Sequence, residues 1–376
     1  MKTKKFLSMA ALALVGAMMT GCSNDDNYQQ PENKNNVVTL TTTIGLDDGG
    51  TTRALTATGV KTFAEGDQIA VIYKNASDET IKTVSTISSG AGTKTATFTV
   101  ALTNPDNTKA IRYIYPAAMA KDVATDATID DAGTVDFDKL NNQDGTLTTL
   151  GSTLDLCTLD AANWTSGTLP TGTLQNQLAI LAINLKYSTD ITSSITGMTI
   201  SDGTNNYAVS GISSASTIYV AIRPTTDATI NVTATDGTNE YVKTLATTKT
   251  YAANNGYNVT WNMTKLTKVT WNASDITGSG TGTSFTKDGV TITAGNIDFN
   301  NKNFMKGGTF TTTLGNFTKI EVTAESFYLF SDTGWSGSDT KRTWAGTPAS
   351  SVSFSGNIMG VPSRNVNFVF TIEPTN

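Results

Sequence analysis

The sequence predicts an all-β protein built from three sandwich-type units. Three observations carry that prediction. Apolar and polar residues alternate at period two through most of the chain, the pattern of strands with one buried face. Charge is sparse, 15% of 376 residues, while strand-favouring Thr, Val, Ile and Tyr abound. Asp-Gly pairs and Gly/Ser clusters punctuate these runs, and helical periodicity is almost absent.

The N-terminus reads as an export signal. Lys2, Lys4 and Lys5 precede an apolar run from Phe6 to Met19, too short to span a bilayer as a helix. The run ends in Met19-Thr20-Gly21-Cys22, small residues before a cysteine, the pattern of a bacterial lipoprotein signal. The expectation is a signal peptide over 1–21 and lipid on Cys22, anchoring the chain to the outer membrane at the cell surface. Residues 22–36 are polar and aperiodic and read as a flexible tether. Cys157 is then left without a partner and is expected to be a small buried hydrophobe.

The first unit is expected over 37–165. Val38, Leu40, Ile44 and Leu46 share one face of its opening strand, with Thr39, Thr41 and Thr43 on the other. Ile69, Val71 and Tyr73 repeat the alternation, as do Phe98, Val100 and Leu102, then Ile111, Tyr113 and Tyr115, until Pro116 ends the run. From Ala117 to about Gly172 the pattern is less regular, with a closing strand near Leu150 to Leu159.

The second unit is expected over 166–266. It contains the run LAILAINL at 178–185, which reads as a strand buried on both faces. Strands follow at Tyr207 to Val209, at Ile218, Val220 and Ile222, at Ile230, Val232 and Ala234, and at Tyr257, Val259, Trp261 and Met263. Asp202-Gly203 and Asp236-Gly237 are expected to be hairpin turns of type I′, with positive φ at both central residues. The third unit, 267–376, carries strands at Val290 and Ile292, Ile320 to Ala324, Val352 and Phe354, and Val366 to Ile372, with a further turn at Asp288-Gly289.

Composition narrows the chemistry. The chain has no histidine, so no Ser-His-Asp triad, His-based acid–base step or His-ligated zinc is available, and two cysteines cannot form a four-cysteine site. Glu321 and Glu325 on one regular strand stand ~13 Å apart, too far for either glycosidase geometry. The acidic stretch from Asp130 and Asp131 through Asp136 and Asp138 to Asp144 lacks calcium-loop spacing. No enzyme activity, catalytic residue, cofactor or metal is expected. The net charge of −6 argues against nucleic acid as a partner.

Several segments together resemble a known family. They are the lipoprotein cysteine, the first strand followed by Thr-Arg-Ala-Leu at 52–55, FAEGDQIAV at 63–71, QNQLAILAINL at 175–185, YVAIRP at 219–224 and GYNVTW at 256–261. Over roughly residues 1–266 the chain resembles the fimbrillins of Bacteroidales, subunits of type V pili. The resemblance implies two transthyretin-like β-sandwich domains and export as a lipoprotein. It also implies cleavage by an arginine-specific protease after the arginine that follows the first strand, here Arg53, and adhesion as a role. The removed strand, 37–53, would leave a groove that a donor strand from another pilus subunit fills. Elementary physics agrees, since a missing strand exposes unpaired backbone and an apolar trench that β-augmentation satisfies. The alternative for Arg53 is an ordinary exposed residue in an uncut loop.

Residues 267–376 go beyond the family pattern and suit a tip or accessory subunit, or a binding domain. Trp335, in a Gly/Ser/Asp loop with Asp332 and Asp339, has the composition of a sugar-stacking platform, and Trp344 lies nearby. The alternative is a core tryptophan closing the sandwich. A second function stays open on this basis: a non-polymerising surface lipoprotein binding host or bacterial glycans through its last unit. The strand from Val366 to Ile372 either completes its own unit or serves as a donor.

Overall fold

The computed structural model describes residues 36–47, 62–329, 332–360 and 366–375. The expected signal, Cys22 and Arg53 lie outside these. The described chain is all-β, and none of its helices is long and apolar enough to cross a membrane.

The first seven strands are β1 (Val37–Leu46), β2 (Gln68–Lys74), β3 (Thr80–Ser89), β4 (Thr95–Thr103), β5 (Ile111–Tyr115), β6 (Cys157–Ala161) and β7 (Gly172–Asn176). They close into a barrel in the order β1-β4-β3-β2-β5-β6-β7. The alternation expected of these strands fills its interior: Ile44, Ile69, Val71, Tyr73, Phe98, Val100, Tyr113 and Leu174 are buried together, with Cys157 beside them. Two expectations are corrected here. The run at Leu150–Leu154 is a wide helical turn, so the strand begins only at Cys157. The boundary placed after residue 165 falls inside the barrel, because β7 pairs with both β1 and β6. Sequence patterning misses β7 because only Leu174 of Gly172–Asn176 is a large apolar residue.

β2 and β5 are buried on both faces. Their outward residues Ala70, Ile72 and Ile114 belong to a second core. That core runs through the short helices of 117–156, including Met119, Leu140 and Leu150, into the next sheets. The barrel and the second unit are therefore fused through one apolar layer. Arg112, which is 7% exposed, ties the barrel to the helical segment of that layer. Its Nε and Nη2 donate to the two Asp160 oxygens at 2.5 and 2.8 Å, and its Nη1 donates to Asp131 and Thr134 at 2.8 and 3.0 Å.

In the second unit, Ala179–Tyr187 lies between Ile218–Ile222, antiparallel, and Asn255–Asn262, parallel. A five-stranded sheet faces it, built on Gly197–Ser201, Asn206–Ser210, Asn231–Thr235, Glu240–Thr244 and Thr264–Lys265. Its two hairpins share the sequence Asp-Gly-Thr-Asn-x-Tyr, at 202–207 and 236–241. They are not type I′ turns. Only Gly203 and Gly237 have positive φ, and each loop holds four residues. Each aspartate instead accepts the backbone N–H groups two and three residues on, the asparagine amide and the tyrosine hydroxyl. Asp288-Gly289 does form the tight turn, with φ of 51° and 74° between paired Lys287 and Val290.

The third unit is a sandwich of a five- and a six-stranded sheet with its own aromatic core, including Trp271, Phe304, Phe310, Phe317, Phe368 and Phe370. The last strand, Asn367–Glu373, pairs with Thr267–Asn272 on one side and Asn316–Thr323 on the other, so it completes its own sheet.

Two outcomes test this architecture. Arg112→Ala is expected to lower unfolding free energy in urea by about 2 kcal/mol, and Arg112→Lys to restore only part, because an ammonium cannot reproduce the planar fork. Burial alone would raise Asp202, but hydrogen bonds from Asn205, Thr204 and Tyr207 outweigh it, and those from Asn239 lead in holding Asp236 down. Both folded values thus lie below the unfolded value of ~3.9, so their contribution is complete above it and is lost as pH falls below about 4. The Asp202→Asn/Asp236→Asn double variant should flatten the acid limb of a stability–pH profile measured by denaturant titration.

Candidate functional site

The site with the clearest construction is the slot that β1 occupies. β1 runs antiparallel to β4 along its length, from Val37 opposite Thr103 to Gly45 opposite Thr95. On its other side it touches β7 only at its end, 44–46 beside 172–174, in parallel. This one strand closes the barrel. Without it, β4 and β7 become edges and the interior opens along Phe98, Val100 and Leu102.

Burial along β1 is uneven. Val37 is 56% exposed, Leu40 is half-buried, and Ile44 and Leu46 are buried. Burying Ile44 and Leu46 contributes about 1.5–3 kcal/mol each. Thr42 is the polar exception on the inward face, 1% exposed, and its hydroxyl donates to the Pro170 carbonyl at 2.6 Å. The buried Tyr113 hydroxyl donates to the same carbonyl at 3.1 Å. Burial pushes the Tyr113 phenol well above its ordinary value, so it stays a neutral donor.

The two ends of the segment after β1 meet at one place. Leu46 N–H donates to Lys94 O, and Phe63 N–H donates to Thr93 O, each at 2.9 Å. Phe63 is fully buried, its ring edge-on to Phe98 and Tyr115. The following Ala-Glu-Gly-Asp turn is locked by Asp67, which accepts from Ala64 N–H at 2.8 Å and from the Tyr115 hydroxyl at 2.6 Å. The chain thus leaves the barrel at Asp47 and returns beside it at Phe63. A single cut between them leaves β1 held by non-covalent contacts alone. β2 and β5, the strands farthest from β1 around the ring, are the ones anchored on the second core. Opening the slot spares that wall.

The other expected site residues are placed as follows. Trp335 is half-buried, its ring tilted against Phe310 at 6.2 Å and its indole N–H donating to Ser353 O at 3.0 Å. Asp332 accepts the Ser355 N–H. Asp339 is exposed and lies 3.9 Å from Arg342. Trp344 is buried in the core, directly opposite Trp335. The Trp335 indole N–H and one Asp332 oxygen are thus engaged within the unit. In the acidic stretch, Asp130 caps a helix, Asp131 pairs with Arg112 and Asp144 accepts from Thr146 and Thr149. Among the described residues no three His, Cys, Asp or Glu side chains group to hold a metal ion. A cleft of about 440 Å³, lined by Tyr187, Glu240, Lys265 and Lys268 among others, lies where the second and third units meet. It was missed by sequence reasoning because its residues come from separate strands.

No family model and no curated protein matches the chain. Similar solved structures include a putative cell adhesion protein from Bacteroides ovatus, at 11% identity and TM-score 0.35, covering 60% of this chain and 94% of that one. A fimbrial assembly protein from Parabacteroides distasonis aligns at 9% identity and TM-score 0.34, over 61% and 94%. A C-terminally truncated tip fimbrial protein from Porphyromonas gingivalis aligns at 11% and 0.30, over 59% and 94%. At these scores the likeness by itself assigns the chain neither family nor function.

One expected outcome follows from the slot. Ile44→Ala should cost about 2–4 kcal/mol in a urea titration, whereas Val37→Ala should stay within about 0.5 kcal/mol.

Proposed function

We propose that this chain is a fimbrillin-type pilus subunit, of the tip or accessory kind, that serves adhesion at the bacterial surface. On this reading it is exported as a lipoprotein on Cys22, is cut after Arg53 by an arginine-specific protease, loses β1, and accepts a strand from another subunit. The observation that carries the reading is the position of β1. It closes the barrel alone, and the chain leaves the barrel after it and returns at one point, so one cut between Asp47 and Phe63 frees the strand from covalent attachment to the rest of the barrel. Arg53 falls within that segment. The family motifs of the sequence support the same assignment. The tip or accessory role is supported by the last strand, which is held on both sides and so is not free to be donated. The glycan-binding alternative through residues 267–376 has less support, because the Trp335 indole N–H and one Asp332 oxygen are engaged internally.

The test is limited digestion of residues 23–376 with an arginine-specific protease, followed by intact mass and size-exclusion chromatography. The expected result is one dominant cut after Arg53, release of the fragment ending there, and higher oligomers once a partner subunit is added. A resistant Arg53, or a cut chain that keeps its first strand and stays monomeric, would contradict the reading.

A further inference from the structure

The slot carries more information than an apolar trench needs. Cross-strand sizes along β4 alternate against those of β1. Ile44 lies opposite the small Ala96, Thr42 opposite the large Phe98, and Leu40 opposite Val100. Thr42 also places its hydroxyl on the Pro170 carbonyl, which Tyr113 already meets. Period-two alternation alone forbids a slip by one residue, since that would turn the apolar face outward. It does not forbid a slip by two. Such a slip would bring Leu40 or Ile44 against Phe98 and against the Pro170 carbonyl, crowding one and leaving the other with a lost hydrogen bond.

We infer that the slot selects its strand, and fixes its register, through this hydroxyl station: the accepted strand carries Ser or Thr facing Pro170, with branched apolar residues two positions to either side. The pattern is that of Leu40-x-Thr42-x-Ile44-x-Leu46. The inference rests on the strand-acceptance reading above and specifies the partner's chemistry. It also disfavours a second copy's last strand, whose face of Val366, Phe368, Phe370 and Ile372 puts only a phenylalanine, valine or isoleucine at the hydroxyl position. The occupant is therefore a strand of another subunit other than a copy of this chain's last strand.

The experiment uses residues 23–376 cut after Arg53, incubated with fluorescent synthetic decapeptides in excess, with exchange followed by anisotropy and confirmed by intact mass. The probe is the chain's own VVTLTTTIGL, residues 37–46. A peptide carrying Thr42→Val should bind about 5- to 10-fold more weakly, the worth of one hydrogen bond. A peptide with Thr42 and Ile44 exchanged keeps composition but should fail to compete, as should a peptide of the last strand. In the Tyr113→Phe protein, the Thr-over-Val preference should widen, because the Pro170 carbonyl then depends on the strand hydroxyl alone. If the Thr42→Val and exchanged peptides bind as well as the natural one, the hydroxyl station is overturned while strand acceptance stands. If even the natural peptide does not enter the cut protein, strand acceptance itself fails, and the inference with it.

Discussion

The structure depends on one closure. Six strands of the first barrel form a curved sheet that cannot satisfy its own two edges, and β1 bridges them. The bridge is lopsided, long against β4 and short against β7. The chain that follows β1 leaves the barrel at Asp47 and returns beside that point at Phe63. Backbone pairing, side-chain burial and chain connectivity thus coincide in a strand that is structurally essential yet topologically removable.

Most of the molecule's packing does not involve β1, although Asn254 of the second unit donates to Asp47 at its end. β2 and β5 are pinned from outside by the core that continues through residues 117–156 into the second unit, and Arg112 ties the barrel to the 117–156 segment with charge-assisted hydrogen bonds. The third unit has a separate aromatic core and encloses its own last strand. Loss of β1 therefore removes burial from one core of three, on the side away from the anchored wall.

Much of this was legible in the sequence, and for physical reasons. Strands with one face in a core announce themselves by alternation, as at Val38 to Leu46 and Phe98 to Leu102. β3 and β7 did not, because their buried positions are few or filled by threonine. The two Asp-Gly hairpins were located correctly but assigned the wrong turn, since the side-chain hydrogen bonds that enlarge the loops depend on Asn205, Tyr207, Asn239 and Tyr241 acting together. Composition shows the polar loop around Trp335 but not the packing of its ring against Phe310. Nothing in the alternation of β1 singles out Thr42; its role needs Pro170, 128 residues away, to be visible.

The central claim is that β1 alone closes the barrel and that its place can be refilled. Amide hydrogen exchange by mass spectrometry, on residues 23–376 cut after Arg53 and freed of the first strand, tests it most directly. The account predicts that protection collapses in β4 and β7, survives in β2, β5 and the second unit, and returns to β4 when the 37–46 peptide is added. Unchanged protection across β4 after the strand has gone, or collapse throughout the first and second units, would contradict it.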